Sequence, residues 1–469
     1  MRDELMRLQP VSVLAAAVQH LRRRKERETG LDTLPRTGVA ADKLRTLAGP
    51  DEFRDTLLSL IAAARERILM TALYLQDDDA GREVLSALYA VKEAHPSVRI
   101  AVLVDWHRAQ RGLIGKGASA GNTTFYAEMA RRFGSGVGIY GVPVQTRELM
   151  GVMHLKGFVI DDTVLYSGAS LNDVYLHRHQ RYRLDRYHLL EHRPLADSLA
   201  ALMSDVLQPH PAVTPLDTLS RPRTAALREG IGSLRRTLAR TTYHLPPGAV
   251  STGEVAVTPL LGLGARDNLL NRVILQLIHR AQRELVLFTP YFNLPGPVRR
   301  AIEERIRKRC RVRIVVGDKT ANDFYIPPSE PFKAIGALPY LYESNLRRFC
   351  KAHQDAVAGG LLDLYLWRHA DHSFHMKGLL VDCEHALITG SNLNPRAWRL
   401  DLENGLLLHD AGGHLIDQHQ LELERVLAHS RRLSHHQELD DVSSYPLPVQ
   451  RLIKRLARTR ADRLLNQVL

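Results

Sequence analysis

His154-Leu155-Lys156-Gly157-Phe158-Val159-Ile160-Asp161 returns later in the chain as His375-Met376-Lys377-Gly378-Leu379-Leu380-Val381-Asp382. Each copy is followed by a small-residue turn that ends in asparagine, Gly168-Ala169-Ser170-Leu171-Asn172 and Gly390-Ser391-Asn392-Leu393-Asn394. In a chain with 22 histidines, one His-x-Lys arises by chance. Two copies with the same downstream turn mark an internal duplication. The apolar runs Phe158–Ile160 and Leu379–Val381 predict a strand in each copy, with His and Lys, two apart, projecting on one side. An imidazole beside an ammonium suits a phosphate: the lysine neutralises oxyanion charge while the histidine attacks phosphorus or moves a proton.

The repeat extends outward from the motifs. Arg65 to Leu75 aligns with Gln282 to Phe292, setting Tyr74 on Tyr291, and Val98 to Asp105 aligns with Val312 to Asp318. Past the asparagine turns, Arg183 to Leu190 lies over Asp401 to Leu408, which matches Asp185 with Glu403. These two acids are candidates for fixing the tautomers of the active imidazoles through the second ring nitrogen. Asp161 and Asp382 belong to the motif but sit at the far end of an apolar strand, where an acid orients backbone. Each half therefore reads as strand, helix, strand and His/Lys strand, an α/β fold of two homologous halves, each a mixed sheet flanked by helices. One reaction centre that needs both motifs implies packing about a pseudo-twofold axis, with the active site between the halves. The expected organisation is a basic extension (1–45), a first domain (46–207), a linker with one helix (208–253), a second domain (254–428) and a basic tail (429–469).

Composition sets the class of partner. A formal net charge of +13 and a pI of about 9.7 call for anionic partners, nucleic acid or an acidic membrane surface. The sequence has no apolar run long enough to span a bilayer, and Val11 to Val18, preceded by acids and followed by Arg22 to Lys25, makes a poor secretory signal. The three cysteines, Cys310, Cys350 and Cys383, lack metal-site spacing and fit a reducing compartment, so the expected location is cytoplasmic, peripheral on the inner face of the cell membrane. Two basic amphipathic segments are candidates for the membrane contact. One runs from Ala225 to Arg240 and includes Leu234 and Arg235; the other, Pro448 to Leu469, includes Leu452, Ile453, Arg455, Leu456 and Arg458. The alternative for each is a helix that packs its apolar stripe on the protein.

The paired motifs resemble those of the phospholipase D superfamily. Around them, Val104 to Gly112, His154 to His177, Val316 to Pro327, Ile335 to Glu343 and Gly390 to Asn404 resemble the bacterial phosphatidylserine synthases of that superfamily. The first forty or so residues match poorly, and Ala169 stands where the superfamily pattern usually has serine, a hydroxyl that Ser391 keeps. The resemblance implies transfer of phosphatidyl from CDP-diacylglycerol to L-serine, releasing CMP and phosphatidylserine through a covalent phosphatidyl-histidine. It implies no metal and no cofactor, because Lys156 and Lys377, aided by Asn172 and Asn394, stabilise the phosphate charge. By the superfamily's usual asymmetry His154 is the nucleophile and His375 the acid/base, although sequence symmetry permits the reverse.

Loops that follow equivalent strands supply the substrate-binding candidates. Trp106 is placed to stack on cytosine, and Arg108 or Lys319 to hold the CMP phosphate. Asn322 and Asp323 offer themselves to the serine ammonium and Arg396 and Trp398 to the same tasks, and Ser170 and Ser391 are further substrate-binding candidates. An anionic phospholipid surface, and ribosome association as a consequence of charge, complete the expected partners; specific recognition of nucleic acid is not expected. The rival readings are a soluble cardiolipin synthase or phospholipase D with the same two histidines, a nuclease of the superfamily, and a non-enzymatic membrane scaffold, which leaves the duplicated motifs unexplained.

Overall fold

The structure, a computed structural model, describes residues 30–111, 121–134, 136–218, 222–327 and 329–458. Residues 30–35 belong to a separate unit with a 3-10 turn at Leu31–Thr33, and the sheets belong to the unit Arg36–Leu469. The Val11 to Val18 stretch and residues 459–469 of the tail lie outside the described residues.

In chain order the strands are β1 (Thr37–Ala40), β2 (Leu44–Thr46), β3 (Arg67–Ala72), β4 (Arg99–Asp105), β5 (Gly138–Val142), β6 (Gly157–Ile160), β7 (Thr163–Ser167), β8 (Arg183–Leu184), β9 (Tyr187–Glu191) and β10 (Thr214–Pro215). They continue with β11 (Glu254–Leu263), β12 (Glu284–Phe288), β13 (Arg311–Gly317), β14 (Leu362–Trp367), β15 (Ser373–Phe374), β16 (Gly378–Val381), β17 (His385–Thr389), β18 (Leu402–His409) and β19 (Ser430–Leu433). One sheet runs β10-β5-β4-β3-β6-β7-β9-β2 and the other β1-β11-β18-β17-β16-β12-β13-β14-β19. The segment β5-β4-β3-β6-β7-β9 repeats as β14-β13-β12-β16-β17-β18 with the same sense at every pairing: parallel, parallel, then antiparallel three times. The duplication read in the sequence is thus a duplication of mixed-sheet topology.

Alternation along β3 separates two cores. Ile68 and Met70 face helices Pro50–Ala63 and Asp79–Ala94, meeting Phe53, Leu57, Val84 and Leu88. Leu69 faces the other way, into a cluster that joins Leu103, Val159 and Val164 of one sheet to Val286, Val315, Leu380 and Leu406 of the other. The halves therefore share one apolar interior, buried from both sides, and the inner faces of the two sheets are held against each other chiefly by the hydrophobic effect. An ion pair reinforces the junction: Arg186, beside β9, reaches Glu422 on helix Ile416–Leu427 of the second half at 2.7 Å, with both side chains buried. Burial alone would raise the Glu422 carboxyl, but the adjacent guanidinium holds it down at about 2.

Three expectations need correction. The His/Lys strands begin only at Gly157 and Gly378, so both residues of each pair lie in the extended lead-in. The cause is a positive φ at these glycines, 112° and 134°, which turns the chain out of its own sheet. The extension and the tail are not appendages throughout: β1 pairs with β11, β2 with β9 and β19 with β14. Finally, the linker helix, Arg228–Leu238, buries Ile231, Leu234 and Leu238, and Arg235 donates to the Val144 carbonyl at 3.2 Å. Its apolar stripe faces the protein, so Leu234 and Arg235 are not lipid contacts.

Candidate active site

Once turned out of its own sheet, each lead-in pairs with the other half. The His154 N–H donates to Leu402 O and the His375 N–H to Leu184 O, both at 2.8 Å. Leu402 N–H donates in return to Val152 O at 3.0 Å, and Ser373 N–H to Tyr182 O at 3.1 Å. Leu402 and Leu184 directly precede the two matched acids, so these backbone pairings set each histidine beside the acid of the opposite half. His154 Nδ1 lies 3.0 and 2.9 Å from the Glu403 oxygens, and His375 Nδ1 lies 3.1 Å from Asp185 Oδ2.

The lysines are placed by the same exchange. Lys377 Nζ donates to Asp185 Oδ2 at 2.7 Å and also contacts His375 Nδ1, while Lys156 Nζ is 3.4 Å from Ser170 Oγ. The Lys156 peptide is clamped on both sides by Asn404, whose Oδ1 accepts from the lysine N–H and whose amide donates to its carbonyl, each at 2.8 Å. The turn glycines sit against the lysines of the opposite half. A Cβ on Gly168 would lie 2.7 Å from Lys377 Nζ, and one on Gly390 would lie 2.5 Å from Lys156 Cγ. Asn172 and Asn394 use Oδ1 to accept from Tyr175 N–H and Ala397 N–H at 3.2 and 2.9 Å, which leaves the amide nitrogen as the other end of each side chain.

Burial governs the electrostatics. It lowers His154 well below the ordinary imidazole value, helped by Lys156 and Lys377, and lowers His375 to about 4, so both rings are neutral near pH 7. It brings Lys156 down to about 7, with Lys377 adding repulsion, and lowers Lys377 as well, against the pull of Asp185. Burial raises Glu403, as does Asp401, while the lysines draw it down; Asp185, also pushed up by burial, is held below its usual range by Lys377 and His375. An anion set among the two lysines would stabilise their charged forms.

A match to the family model described as cardiolipin synthase, PLD-like domain, covers residues 274–427. The CDP-diacylglycerol–serine O-phosphatidyltransferase of Haemophilus influenzae is 46% identical over 449 residues, covering 95% of this chain and 99% of that protein. The enzyme of the same name from Escherichia coli K12, PssA, is 47% identical over 448 residues, with the same coverage. The crystal structure of phosphatidylserine synthase from Haemophilus influenzae superposes with a TM-score of 0.92 at 45% identity, covering 96% of this chain and all of that one. The chain belongs to the CDP-diacylglycerol–serine O-phosphatidyltransferase family.

In this member of the phosphatidyltransferase family, nine of the residues singled out from sequence gather at the centre: His154, Lys156, Ser170, Asp185, Asp323, His375, Lys377, Arg396 and Glu403. Asp323 Oδ2 is 3.8 Å from His375 Nε2, and Arg396, 3.4 Å from Asp401, is among the cations acting on His154. Ser391 is buried in the turn, its N–H donating to Thr389 Oγ1 at 3.1 Å. Arg108 is buried with its guanidinium 4.5 Å from the Tyr74 ring centre.

Others are placed elsewhere. Asp161 accepts from the N–H groups of Arg65, Glu66 and Arg67, and Asp382 from those of Gln282, Arg283 and Glu284, so both staple a neighbouring strand's start and neither is catalytic. Trp106 is wholly buried in the helix-side core and packs on Gly141, which excludes stacking on a base. The Lys319 ammonium is engaged by Glu343 at 3.1 Å and by Asp440, and Asn322 accepts from Phe324 N–H at 3.0 Å, closing its own turn. Trp398 is buried, with its carbonyl accepting from Asn271 of helix Leu269–Arg280 at 2.8 Å. Tyr175, Arg183 and Asn404 were missed. Tyr175 Oη is 3.0 Å from His375 Nδ1, and only its spacing of three from Asn172 hinted at a place in the turn. Arg183 stands two before Asp185 and so shares its side of an extended chain, a period-2 signal that was legible.

Proposed function

We propose that this protein transfers the phosphatidyl group of CDP-diacylglycerol to L-serine, forming phosphatidylserine and CMP through a phosphatidyl-histidine. The observation that carries the mechanism is the crossed pairing of two buried neutral imidazoles with two buried acids, with two lysines between them. Glu403 accepts a hydrogen bond from the Nδ1–H of His154, which leaves the Nε2 lone pair for attack on the phosphatidyl phosphorus. A P–N bond forms and the bond from that phosphorus to the bridging oxygen breaks. With the substrate's anionic phosphates beside it, His375 takes up a proton; as imidazolium it protonates the departing CMP oxygen, and the neutral ring then removes the serine hydroxyl proton as the serine oxygen displaces His154 and breaks the P–N bond. Lys156, Lys377 and the amides of Asn172 and Asn394 bear the charge of the phosphate oxygens. Arg108 and Arg396 are suited to the second phosphate, that of CMP.

With ammonium groups of the chain bearing the phosphate charge, EDTA should leave activity nearly intact. The measurement is CMP release from CDP-diacylglycerol in mixed micelles with EDTA, with and without L-serine, and with lipid products identified. Serine-dependent release with phosphatidylserine as product is expected. A second reading, a cardiolipin synthase or phospholipase D with the same histidines, is favoured by the description of the family model. Release that ignores serine and yields cardiolipin or phosphatidic acid decides for it.

The site of action we propose is the inner face of the cell membrane, reached from the cytoplasm, with ribosome association a further consequence of the +13 charge. No helix among the described residues is long and apolar enough to cross a membrane. Helix Leu447–Arg458 buries Val449 against Tyr340 and Tyr445 and half-buries Leu452 and Ile453, while Arg451, Lys454 and Arg455 are exposed. Leu456 is half-buried, and the side chain of Arg458 lies outside the described residues. The apolar stripe mainly holds the helix to the protein, and its basic face supplies the attraction to anionic headgroups. Removal of residues 448–469 should weaken binding to phosphatidylglycerol vesicles by about tenfold at low salt and by less at high salt. Unchanged cosedimentation at both salt levels would put the contact elsewhere.

A further inference from the structure

Next to His375, on the side away from Asp185, two opposite charges are buried together. Arg183 Nε and Asp323 Oδ1 meet at 2.8 Å, with only 18% and 9% of their side chains exposed. The approach lacks hydrogen-bond alignment, and neither atom has another hydrogen-bond partner among the described residues. Tyr291 Oη donates to Asp323 Oδ2 at 2.9 Å, the Ser373 hydroxyl also hydrogen-bonds this carboxylate, and the Arg183 guanidinium lies 4.7 Å from the Tyr175 ring centre. The register is fixed by backbone: β8 and β15 pair with Arg183 opposite Ser373, two residues before His375. The duplicated half carries the opposite sign at the matched position, Asp401, paired with Arg396.

Burying an ion pair beside a reaction centre adds little stability, because desolvation offsets the attraction. It becomes useful when a ligand carries the same two charges in complement. An α-amino acid is such a ligand: it presents one ammonium and one carboxylate a few ångströms apart, with no net charge. A pocket lined by one guanidinium and one carboxylate accepts it without a change in buried charge. A wholly cationic pocket would favour phosphate, and a wholly acidic one a simple amine.

We propose that Arg183 and Asp323 are the acceptor clamp, Arg183 binding the α-carboxylate and Asp323 the α-ammonium of the amino acid. Asp323 Oδ2 lies 3.8 Å from His375 Nε2, so an ammonium held there sets the β-hydroxyl within reach of the nitrogen that takes its proton. The clamp rests on the transfer to serine proposed above, and it adds a reason for selectivity. Ethanolamine lacks the carboxylate and leaves Arg183 unanswered; 3-hydroxypropionate lacks the ammonium and leaves Asp323 so.

The test compares L-serine, ethanolamine and 3-hydroxypropionate as acceptors for wild type, Arg183→Met, Arg183→Lys and Asp323→Asn. Both Arg183→Met and Asp323→Asn should raise the serine KM by about 100-fold, as expected for one partner removed from a buried charge contact. Arg183→Met should also erase the preference for serine over ethanolamine, and Asp323→Asn that over 3-hydroxypropionate, with Arg183→Lys in between. These ratios are independent of the fraction of folded protein, and the serine KM decides where an analogue turns over too slowly to measure. A serine KM unchanged in both variants, or unchanged preference ratios with all acceptors slowed alike, overturns the clamp. A wild-type enzyme whose CMP release ignores serine overturns instead the function on which it rests.

Discussion

His154→Ala should lower serine-dependent CMP release by about 10⁴-fold or more, the scale on which enzymes lose a nucleophile. Exchange of labelled CMP into CDP-diacylglycerol, which needs only the first half of the reaction, should vanish with it. The His154 ring is the one whose Nδ1 is bound by a single carboxylate without a lysine in contact, which leaves a neutral ring with its lone pair at Nε2. His375 shares Asp185 with Lys377, a setting that serves a proton carrier better than an attacking atom. His375→Ala should therefore still accumulate the phosphatidyl adduct on His154, slowly, visible by mass spectrometry after an alkaline quench that spares the P–N bond. An adduct on His375 in the His154→Ala protein would reverse the assignment.

Gly168→Ala should reduce kcat by about 100-fold while leaving the melting temperature nearly unchanged, the loss expected when a charge-bearing group moves by roughly 1 Å. The added methyl would stand 2.7 Å from both Lys377 Nζ and Asp185 Oδ2, closer than real contacts allow. Gly168 does not need a left-handed backbone, so the strain falls on the ends of two side chains and the sheet is spared. The lysine must then retreat from the position where it meets phosphate. Gly390→Ala makes the matching intrusion on Lys156, against its Cγ at 2.5 Å. A Gly168→Ala enzyme within about threefold of wild-type kcat would mean that the exact placement of Lys377 does not matter, contrary to the clamp by preorganised charge.

Much of this is legible in the sequence. The motif copies, the alignment of Asp185 with Glu403 and the repeated strand order are all properties of local pattern, and the sheets follow them. What was not legible was the crossing. No local rule states that Asp185 serves His375 and Glu403 serves His154, because that is decided by backbone pairing between segments far apart in sequence. The loop residues failed for a related reason. Trp106 and Lys319 follow equivalent strands, yet one fills the core and the other meets Glu343 and Asp440, partners contributed by distant helices and the tail. A linker helix with a clean apolar stripe reads the same whether the stripe meets lipid or, as for Leu234, a protein core.

The exchange of acids between the halves bears on how such a chain can change over time. In a symmetric pair of identical chains, any substitution appears twice, once beside each histidine, and every gain on one side is imposed on the other. Joined in one polypeptide, the two copies are released from that constraint. Position 183 carries arginine where its counterpart, 401, carries aspartate, and only one of the two lysines shares its histidine's acid. Neither half holds a whole site, so neither can be lost, but each is at liberty to diverge from the other.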